Sequence, residues 1–425
     1  MTDATDESTA TITRTADDDT DPFEAFNRAQ GAGVVRDPYP RWAELRAEGP
    51  IVNLPVSELM GSNPNMSFDG VDMDIFSAVR YDAVHDILRD ATRFTSSAYA
   101  VTMGPVMGHT ILEMDPPEHP RHRGLIQQAF TRRELERWER ELVSPIVHAL
   151  IDRMAARGSA DLVRELTFPF PVAVIAAMMG LDEADHDDFH RWAVELISIA
   201  FDMERATAAS KKLRGLFARV LADRRREPRE DLISLLAAAE LDDGTRLDDE
   251  AIFAFLCLLS PAGAETTYRS SSNLLCGLLA DPEQLDAVRA DRSLIPQAIE
   301  EGVRWECPLT GIIRMATVDT EVCGVELPAG SVIHVCVGSA NHDETRWQHP
   351  DDLDIFRPAR QNMAFAFGPH ACLGMHLARM ETRVVLEALF DRLPGLRLDP
   401  AADDVHVTGY MFRSPLELPV IFDRS

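Results

Sequence analysis

The sequence is short of positive charge and of paired cysteines. Its 425 residues include 42 lysines and arginines against 70 aspartates and glutamates, which gives a formal net charge of -28. Because such a surface repels a phosphate backbone, nucleic-acid binding is not expected. The six cysteines include no CxxC pair and match no zinc-site spacing. Most of them are therefore expected to be reduced core residues of a cytoplasmic protein.

Internal linkers and repeats are also missing. No Ser/Gly/Pro-rich stretch interrupts the chain and no segment recurs at a fixed period, so we expect one large domain over residues 23–425. The N-terminal segment MTDATDESTATITRTADDDTD is polar and acidic, which predicts a disordered tail over residues 1–22. Neither a signal peptide nor a membrane anchor is expected from it.

Helical patterns dominate the rest of the chain. Helices are predicted at residues 38–48, at 81–90, at roughly 248–280 and after the cysteine at position 372. Alternating residues with glycine and proline turns predict a strand from residue 51, short strands over 317–337 and a hairpin near the C-terminus. The apolar stretch 95–112 has no period and is predicted to be a long irregular loop, a type of segment that is often functional.

A short glycine-containing stretch, FAFGPHACLG, ends at Gly374 and places a single cysteine, Cys372, before a helical pattern. A thiolate, not a thiol, is the nucleophile or metal ligand, and the free N–H groups at a helix start stabilise its charge. Gly368 and Gly374 allow a sharp turn and the close approach of a flat ligand. His370 is placed to reach a carboxylate on that ligand, and Phe365 to shield the sulfur. The stretch therefore predicts a lone thiolate on a metal whose other ligands are not protein; the alternative is a buried structural cysteine.

The same ten residues resemble the haem-binding signature of the cytochrome P450 family, FGxGxHxCxG. The resemblance implies a mainly α fold with small β-sheets, in which haem b lies between a long central helix and the helix after the cysteine loop. It also implies that Cys372 is the axial thiolate ligand of the haem iron and that His370 bonds a haem propionate. The first glycine of the signature is Ala366 here. Because alanine tolerates fewer backbone angles, we expect a slightly different loop shape.

A second motif, AGAETT, starts at Ala262 in the long predicted helix. Pro261 removes a backbone donor and a threonine can bond its own helix, so we expect the helix to be kinked or locally opened here. Without the resemblance, a packing kink with a surface acid is the slightly favoured interpretation of this motif. It resembles the P450 oxygen-binding motif, [AG]-G-x-[DE]-T. The resemblance implies that Thr266 steers protons onto bound dioxygen, that Glu265 relays them from solvent, and that Ala262 and Gly263 leave room for the cofactor.

The segment EGVR places Glu301 and Arg304 three residues apart on one helical face. A second match, from Glu134 to Arg137, shows how weak this spacing is by itself, since a surface ion pair explains either. The first match precedes the predicted strands and the cysteine loop, as the family's ExxR motif does. The resemblance implies a structural ion-pair network completed by Arg360, in FRPAR.

Further cations are placed to meet the two propionates of a haem. His119 and Arg123 lie four residues apart in DPPEHPRHRGL, and Arg314 lies in IIRMA. Without the resemblance, a solvated basic patch explains the first two equally well. A planar guanidinium suits carboxylates. The cofactor contacts that the resemblance implies are His119, Arg123, Ala262, Gly263, Arg314, Phe365, Gly368, His370 and Gly374.

The motifs occur in the family's order from residue 119 to residue 374, and the resemblance implies monooxygenation of a C–H bond with O2 as co-substrate. The chain has no flavin or nicotinamide fingerprint, so the electrons must come from a separate donor, for which the family expectation is a ferredoxin with its reductase. Candidate docking cations are Arg132, Arg133, Arg379 and Arg383; an ordinary charged helix face explains them equally well.

The candidate pocket residues, named at the end of this paragraph, are nearly all uncharged. They predict an apolar small-molecule substrate, such as a terpenoid, steroid, fatty or polyketide-like compound. Two alternatives remain open: a peroxide-driven haem-thiolate peroxygenase, and a non-catalytic haem or lipid carrier or gas sensor. The acid and hydroxyl of the AGAETT motif argue against the first, and the absence of a sensor or output domain argues against the second. The candidate pocket residues are Val101, Met103, Val106, Met107, Leu258, Leu309, Ile312, Ile313, Met411 and Phe412, each of which could equally be plain core.

Overall fold

The structure, a computed structural model, describes residues 35–55, 74–196 and 202–424, and four single residues at positions 27, 28, 32 and 58. The acidic tail predicted over residues 1–22 lies outside the described residues. The described part is mainly helical with small sheets, which confirms the predicted fold class.

Helices follow one another along most of the chain. Their bounds are α1 (Tyr39–Glu48), α2 (Tyr81–Arg89), α3 (Ala98–Thr102), α4 (Gly104–Met107), α5 (Glu118–Gln127), α6 (Arg132–Trp138), α7 (Ser144–Ala155), α8 (Pro169–Met178), α9 (Glu183–Leu196), α10 (Met203–Arg226), α11 (Leu232–Ala238), α12 (Asp249–Ala280), α13 (Pro282–Ala290), α14 (Ile295–Trp305), α15 (Val337–Ala340) and α16 (Met375–Arg392). The four helices predicted at 38–48, 81–90, 248–280 and after residue 372 are α1, α2, α12 and α16.

The strands form small sheets beside the helices. Their bounds are β1 (Ile51–Pro55), β2 (Asp74–Ala78), β3 (Phe94–Thr95), β4 (Ser159–Asp161), β5 (Ile312–Ala316), β6 (Thr320–Val322), β7 (Val325–Leu327), β8 (Val332–Val335), β9 (Arg397–Leu398) and β10 (Pro419–Ile421). The largest sheet has the order β1-β2-β8-β5-β3, in which β2 and β8 are parallel and the other neighbours antiparallel. The strands predicted from residue 51 and over 317–337 are thus confirmed.

The central helix, α12, packs against α8, α10, α14 and α16. The Asp248 side chain caps its N-terminus by accepting a hydrogen bond from the Ala251 N–H at 2.8 Å. By length and composition it could cross a membrane, but 67% of its most apolar window is buried in the protein, as in a core helix. The helix continues without interruption through Pro261, where a kink or a local opening was predicted; the kink stays a prediction.

The helix after the cysteine loop, α16, begins with Gly374 in the N-cap position. Leu377, Met380, Val384 and Ala388 are all buried, as their helical spacing predicts. Burying each of the larger three is worth about 1.5–3 kcal/mol. Because these side chains join the same hydrophobic core as α12, the cysteine loop is held in a fixed place relative to the central helix.

Two segments differ from the predictions. The stretch 95–112 contains two short helices, α3 and α4, because the buried side chains of Val106 and Met107 anchor it to the core. Their carbonyls also accept hydrogen bonds from Ser210 and Arg214 of α10. The C-terminal segment forms only a turn closed between residues 408 and 414, while its last strand, β10, pairs with β4 and β9.

Candidate active site

Cys372 lies in a closed loop that leads into α16. Its N–H donates to the Phe365 carbonyl at 2.8 Å, and the Ala371 N–H donates to the Gly368 carbonyl at 3.0 Å. The backbone therefore turns back on itself immediately before the cysteine, and the Cys372 side chain is left exposed. An accessible sulfur at a helix start is the arrangement that a thiolate ligand needs.

The surroundings of the Cys372 sulfur favour a negative charge more than those of other cysteines. Desolvation raises the pKa of its thiol, and the Gly374 N–H and the guanidinium groups of Arg123 and Arg379 offset part of that rise. Cys323 is also exposed, but burial and two nearby aspartates raise the pKa of its thiol, and only one arginine, Arg80, opposes them. The remaining four cysteines are buried. Cys372 is therefore the cysteine best placed to ligate a metal as a thiolate.

The two glycines of the cysteine loop, Gly368 and Gly374, meet different structural requirements. Gly368 has φ +74°, and a side chain there would clash with the Leu88 carbonyl at the end of α2, so both conformation and close packing require it. Gly374 has φ -86°, and a Cβ on it would meet no protein atom within 4 Å. Its lack of a side chain keeps space beside the sulfur, which suits a flat ligand. Ala366 has φ +56°, the left-handed conformation that favours glycine.

Replacing Ala366 by glycine is expected to stabilise the protein by about 1 kcal/mol. A non-glycine residue pays roughly 1–2 kcal/mol in the left-handed region, and part of that gain is lost to the greater freedom of glycine in the unfolded chain. The measurement is the urea midpoint of the two proteins. Ala371→Gly is the matched control, because Ala371 has φ -54°; it should be destabilised by roughly 0.5–1 kcal/mol. Equal urea midpoints for the parent, Ala366→Gly and Ala371→Gly would show that the backbone of Ala366 is not strained.

Two histidines stack beside the cysteine loop. The ring centroids of His119, in α5, and His370 are 4.0 Å apart, with 31° between the planes. In both rings Nε2 is buried and has no hydrogen-bond partner within the described part of the chain. Burial and, to a smaller extent, Arg123 and Arg314 lower the pKa of both imidazoles; for His370, with the neighbouring His119 also contributing, the pKa falls to about 3. Because an unsatisfied buried nitrogen is costly, the pair indicates a bound group that these nitrogens contact.

Two arginines complete this cluster. Arg123 donates to the Ala371 carbonyl at 2.6 Å, and the buried Arg314 donates to the Ile313 carbonyl at 2.8 Å. Neither guanidinium forms an ion pair with any residue that the structure describes. Burial lowers the pKa of both, which expresses the cost of holding a cation without an anion. The cluster therefore fits a ligand edge that carries carboxylates, and it is not the solvated basic patch that His119 and Arg123 alone would suggest.

One stripe of α12 stays accessible while most of the helix is buried. Leu258, Ala262 and Thr266 lie on this stripe, one turn apart, and Ala262 is exposed. The Thr266 hydroxyl donates to the Ala262 carbonyl at 2.9 Å. Gly263 serves packing instead, because a Cβ on it would lie 2.9 Å from Cδ1 of Ile175 in α8. Close packing of α12 against α8 therefore explains the glycine at position 263 more simply than the predicted role of making room for the cofactor.

Glu265 is buried, so its interpretation as a surface acid is wrong. Its Oε2 accepts hydrogen bonds from Arg269 Nη2 at 2.9 Å and from Arg269 Nε at 3.1 Å. Burial raises the pKa of the Glu265 carboxyl and Arg269 lowers it. Arg269 was not among the predicted site residues, although a Glu and an Arg four residues apart on a helix are a known pairing signal.

The predicted ion pair between Glu301 and Arg304 is present and buried. Arg304 donates to both carboxylate oxygens, Nε to Oε2 at 2.8 Å and Nη2 to Oε1 at 2.7 Å. The third member is Arg357, whose Nε lies 3.0 Å from Oε1, so the assignment of Arg360 is wrong. The reason is the path of the chain: the Asp354 N–H donates to Glu301 at 3.1 Å, which places the first arginine of FRPAR over the carboxylate. Arg360 donates to a surface carbonyl.

The comparisons with known proteins agree with this geometry. The family model described as Cytochrome P450 matches residues 159–394. The chain belongs to the cytochrome P450 family. The P450 monooxygenase PikC of Streptomyces venezuelae is 33% identical over 406 residues, which cover 93% of this chain and 94% of that protein. The steroid C26-monooxygenase of Mycolicibacterium smegmatis is 36% identical over 359 residues, 82% of this chain and 88% of that protein. The solved structure of cytochrome P450 CYP109Q5 from Chondromyces apiculatus has a TM-score of 0.82 and 33% identity, and the match covers 93% of this chain and 98% of that one.

As a P450, the chain is an oxygenase that uses haem b, with O2 as co-substrate. The residues present fit that cofactor. The two unpartnered histidine nitrogens and the two arginines without acids match the two carboxylates of a haem edge. The accessible sulfur of Cys372 supplies the kind of ligand that a P450 haem iron takes from the protein.

The candidate pocket residues of this P450 fall into three groups. Val101 is 80% exposed, so its side chain does not line an enclosed pocket. Val106 and Met107 are buried in the hydrophobic core. Leu309 and Phe412 form an isolated β-bridge, which brings the C-terminal turn next to the segment before β5. The partly buried candidates are Met103, Leu258, Leu309, Ile312, Ile313, Met411 and Phe412.

Three of the four arginines proposed for electron-donor docking already have acid partners. Arg132 pairs with Glu136 at 2.7 Å. Arg383 pairs with Glu139 at 2.6 Å and with Glu387 at 3.0 Å. Arg379 pairs with Glu300 and lies over the Phe365 ring, 4.4 Å from its centroid. Arg133 is exposed and forms no ion pair with a described residue. These contacts make most of this surface an ordinary charged face.

Proposed function

We propose that the chain is a haem-thiolate monooxygenase that inserts one oxygen atom of O2 into an apolar small molecule, with electrons from a separate ferredoxin and its reductase. The observation that carries the proposal is the pairing of an accessible thiol at Cys372 with two unpartnered histidine nitrogens and two arginines that form no ion pair with a described residue. A peroxide-driven enzyme would need the same pairing, so the dioxygen part of the proposal rests on Thr266 and Glu265.

The proposed cofactor contacts follow from the geometry above. Cys372 would ligate the iron as a thiolate, whose charge the Gly374 N–H and Arg123 support. His119, His370 and Arg314, with Arg123, would bond the propionates. When bound, the thiolate-ligated haem supplies the oxygen chemistry itself, favouring cleavage of the O–O bond. The small residues Gly374 and Ala262 would leave room for the flat ring.

Proton delivery is the proposed task of Thr266 and Glu265. The Thr266 hydroxyl lies on the accessible stripe of α12 and donates to its own helix, so it is held in place and has lone pairs left to accept a proton donor. Glu265, the preceding residue of α12, lines a cleft that Val172 of α8 and Val194 of α9 also line. In this proposal the Glu265 carboxyl, at the cleft, and the Thr266 hydroxyl, on the accessible stripe of α12, are the two ends of a proton path.

The proposed substrate is a terpenoid, steroid, fatty or polyketide-like compound. The partly buried candidate pocket residues are apolar, and they offer no charge to bind an ionic group. One relative is named for oxygenation of a steroid, which supports this size and polarity. We infer a cytoplasmic location, and a donor-binding face near Arg133, where a cation without an acid partner is available.

Replacing Thr266 by alanine should keep haem content and substrate binding but divert electrons to peroxide. We expect product per electron pair to fall about tenfold, less than the roughly hundredfold typical of losing a full general acid, because water still reaches the site. A substrate is first found by screening apolar compounds for a shift of the haem spin state. Product and peroxide are then measured with a ferredoxin and its reductase.

Thr267→Ala is the matched control, because Thr267 is buried on the next helix position. It should change folding stability more than coupling. Unchanged coupling in Thr266→Ala would contradict the role of the hydroxyl. Turnover with peroxide alone, and none with the ferredoxin system, would favour a peroxygenase instead. No spin-state shift with any apolar compound and no turnover would favour a non-catalytic carrier.

A further inference from the structure

Arg269 occupies an unusual place for a cation, fully inside the protein and one helical turn after Glu265. It is 1% exposed and lies among buried side chains of α12 and the C-terminal turn. Its Nη1 donates to Ser414 Oγ at 2.9 Å and its Nη2 to Asn27 Oδ1 at 2.6 Å. Its guanidinium carbon lies 5.5 Å from the centre of the Phe412 ring. One side chain thus joins the acid of the oxygen-binding motif to the turn that carries a candidate substrate contact.

The two oxygens of Glu265 are in different situations. Both hydrogen bonds that the described residues make to this carboxylate come from Arg269 and reach Oε2. Glu265 also lines a cleft whose other walls include Phe168, Val172 and Val194, none of which carries a charge. One oxygen is therefore fixed by a cation, and the other has no hydrogen bond from a described residue. That division suits a group that must hold its position while it gains and loses a proton.

We propose that Arg269 is the positioning residue of Glu265, which it holds in place through one oxygen while the other stays available for proton transfer. The inference deepens the proposed function and rests on it, because it assigns the residue that keeps the proton carrier in its working state. The proposed role of Arg269 requires no contact with substrate or cofactor. Arg269 would act only through the Glu265 carboxylate.

The charges around Glu265 make the direction of the effect clear. Arg269 and the phenol of Tyr268 are the titratable groups beside it on α12, while α8 and α9 present the uncharged side chains of the cleft. Burial favours the neutral carboxyl, and a guanidinium, which never loses its proton in proteins, favours the carboxylate. Without Arg269, burial would act unopposed, so the pKa of the Glu265 carboxyl would rise further and the acid would release its proton less readily.

The test is an infrared titration of the carboxyl C=O band in the full-length, haem-loaded protein. Parent and Arg269→Gln are each compared with the matching protein that also carries Glu265→Gln, so that the difference isolates one carboxyl. We expect the pH at which Glu265 ionises to rise by about two units or more in Arg269→Gln, because buried glutamates shift by up to 3–5 units. Arg269→Lys keeps the charge and should ionise near the parent, and it serves as a folded substitute if Arg269→Gln yields no protein.

Ser414→Ala is the control for a merely structural role. It removes one bond from Arg269 to the C-terminal turn and leaves both contacts to Glu265, so the Glu265 titration should match the parent. An unchanged titration in Arg269→Gln, or an equal shift in Ser414→Ala, would overturn the inference.

Coupling separates the inference from the proposed function on which it rests. A shifted titration with a lower yield of product per electron pair supports both. A shifted titration with unchanged yield supports the positioning of Glu265 by Arg269 and refutes Glu265 as the proton carrier. The infrared measurement needs no substrate and no electron donor, so the failure of either leaves its outcome intact.

Discussion

Cys372→Ser is expected to remove the red-shifted absorption band that the reduced, carbon monoxide-bound protein shows when a thiolate ligates the iron. A hydroxyl is a far weaker electron donor than a thiolate, so monooxygenase activity should fall below detection. The change is small in volume, and the Cys372 side chain is exposed, so the fold itself should persist. The measurement is the difference spectrum of the reduced protein with and without carbon monoxide, with haem content determined separately.

Cys323→Ser is the matched control for that substitution. Cys323 is the other exposed cysteine, but it lies in the turn between β6 and β7, and nearby aspartates and burial raise the pKa of its thiol. The control protein should keep the thiolate band in full. A band that survives in Cys372→Ser, or disappears in Cys323→Ser, would show that the sulfur has been assigned to the wrong residue.

The sequence was most informative where a local pattern and a chemical requirement coincide. The buried face of α16 follows from helical spacing alone, and Leu377 and Val384 lie where it places them. The positions of His119 and Arg314 could not come from spacing, because α5 and β5 are almost two hundred residues apart. Their meeting at one edge was expected only from the family resemblance. The unpartnered Nε2 of His119 and the buried guanidinium of Arg314, which forms no ion pair with a described residue, now provide a physical reason for it.

The predictions failed where a residue's partner is chosen by chain path or by tertiary packing. Gly263 was interpreted as space for a ligand, but Ile175 of a neighbouring helix fills that space. Val101 was interpreted as a pocket residue from its apolar side chain, but α3 turns it towards solvent. Neither fact is encoded within a few residues of the position concerned, so no window of the sequence could have supplied it.

The choice between Arg357 and Arg360 gives a second large predicted effect. Arg357 donates to Glu301 at 3.0 Å, to the His349 carbonyl at 3.0 Å and to the Asp352 carbonyl at 3.2 Å. Arg360 is exposed and donates to one backbone carbonyl. The same substitution at the two positions therefore compares a buried network with an ordinary surface contact.

Arg357→Ala should destabilise the protein by about 3 kcal/mol, since it removes a charge-assisted bond to a buried carboxylate and leaves several carbonyls without their donor. That is a large share of the roughly 5–15 kcal/mol that stabilises a typical native protein, so the yield of haem-loaded protein should fall clearly. Arg360→Ala should lie within about 0.5 kcal/mol of the parent. The checks are the urea midpoint and the ratio of haem to protein after purification.

If Arg360→Ala proved the more damaging of the two substitutions, the third member of the ion-pair network would be Arg360, as first predicted, and the chain path over Glu301 would differ from the one in the structure. Arg357→Lys should recover only part of the loss, because an ammonium cannot reproduce the fork of donors that spans the carboxylate and the neighbouring carbonyls.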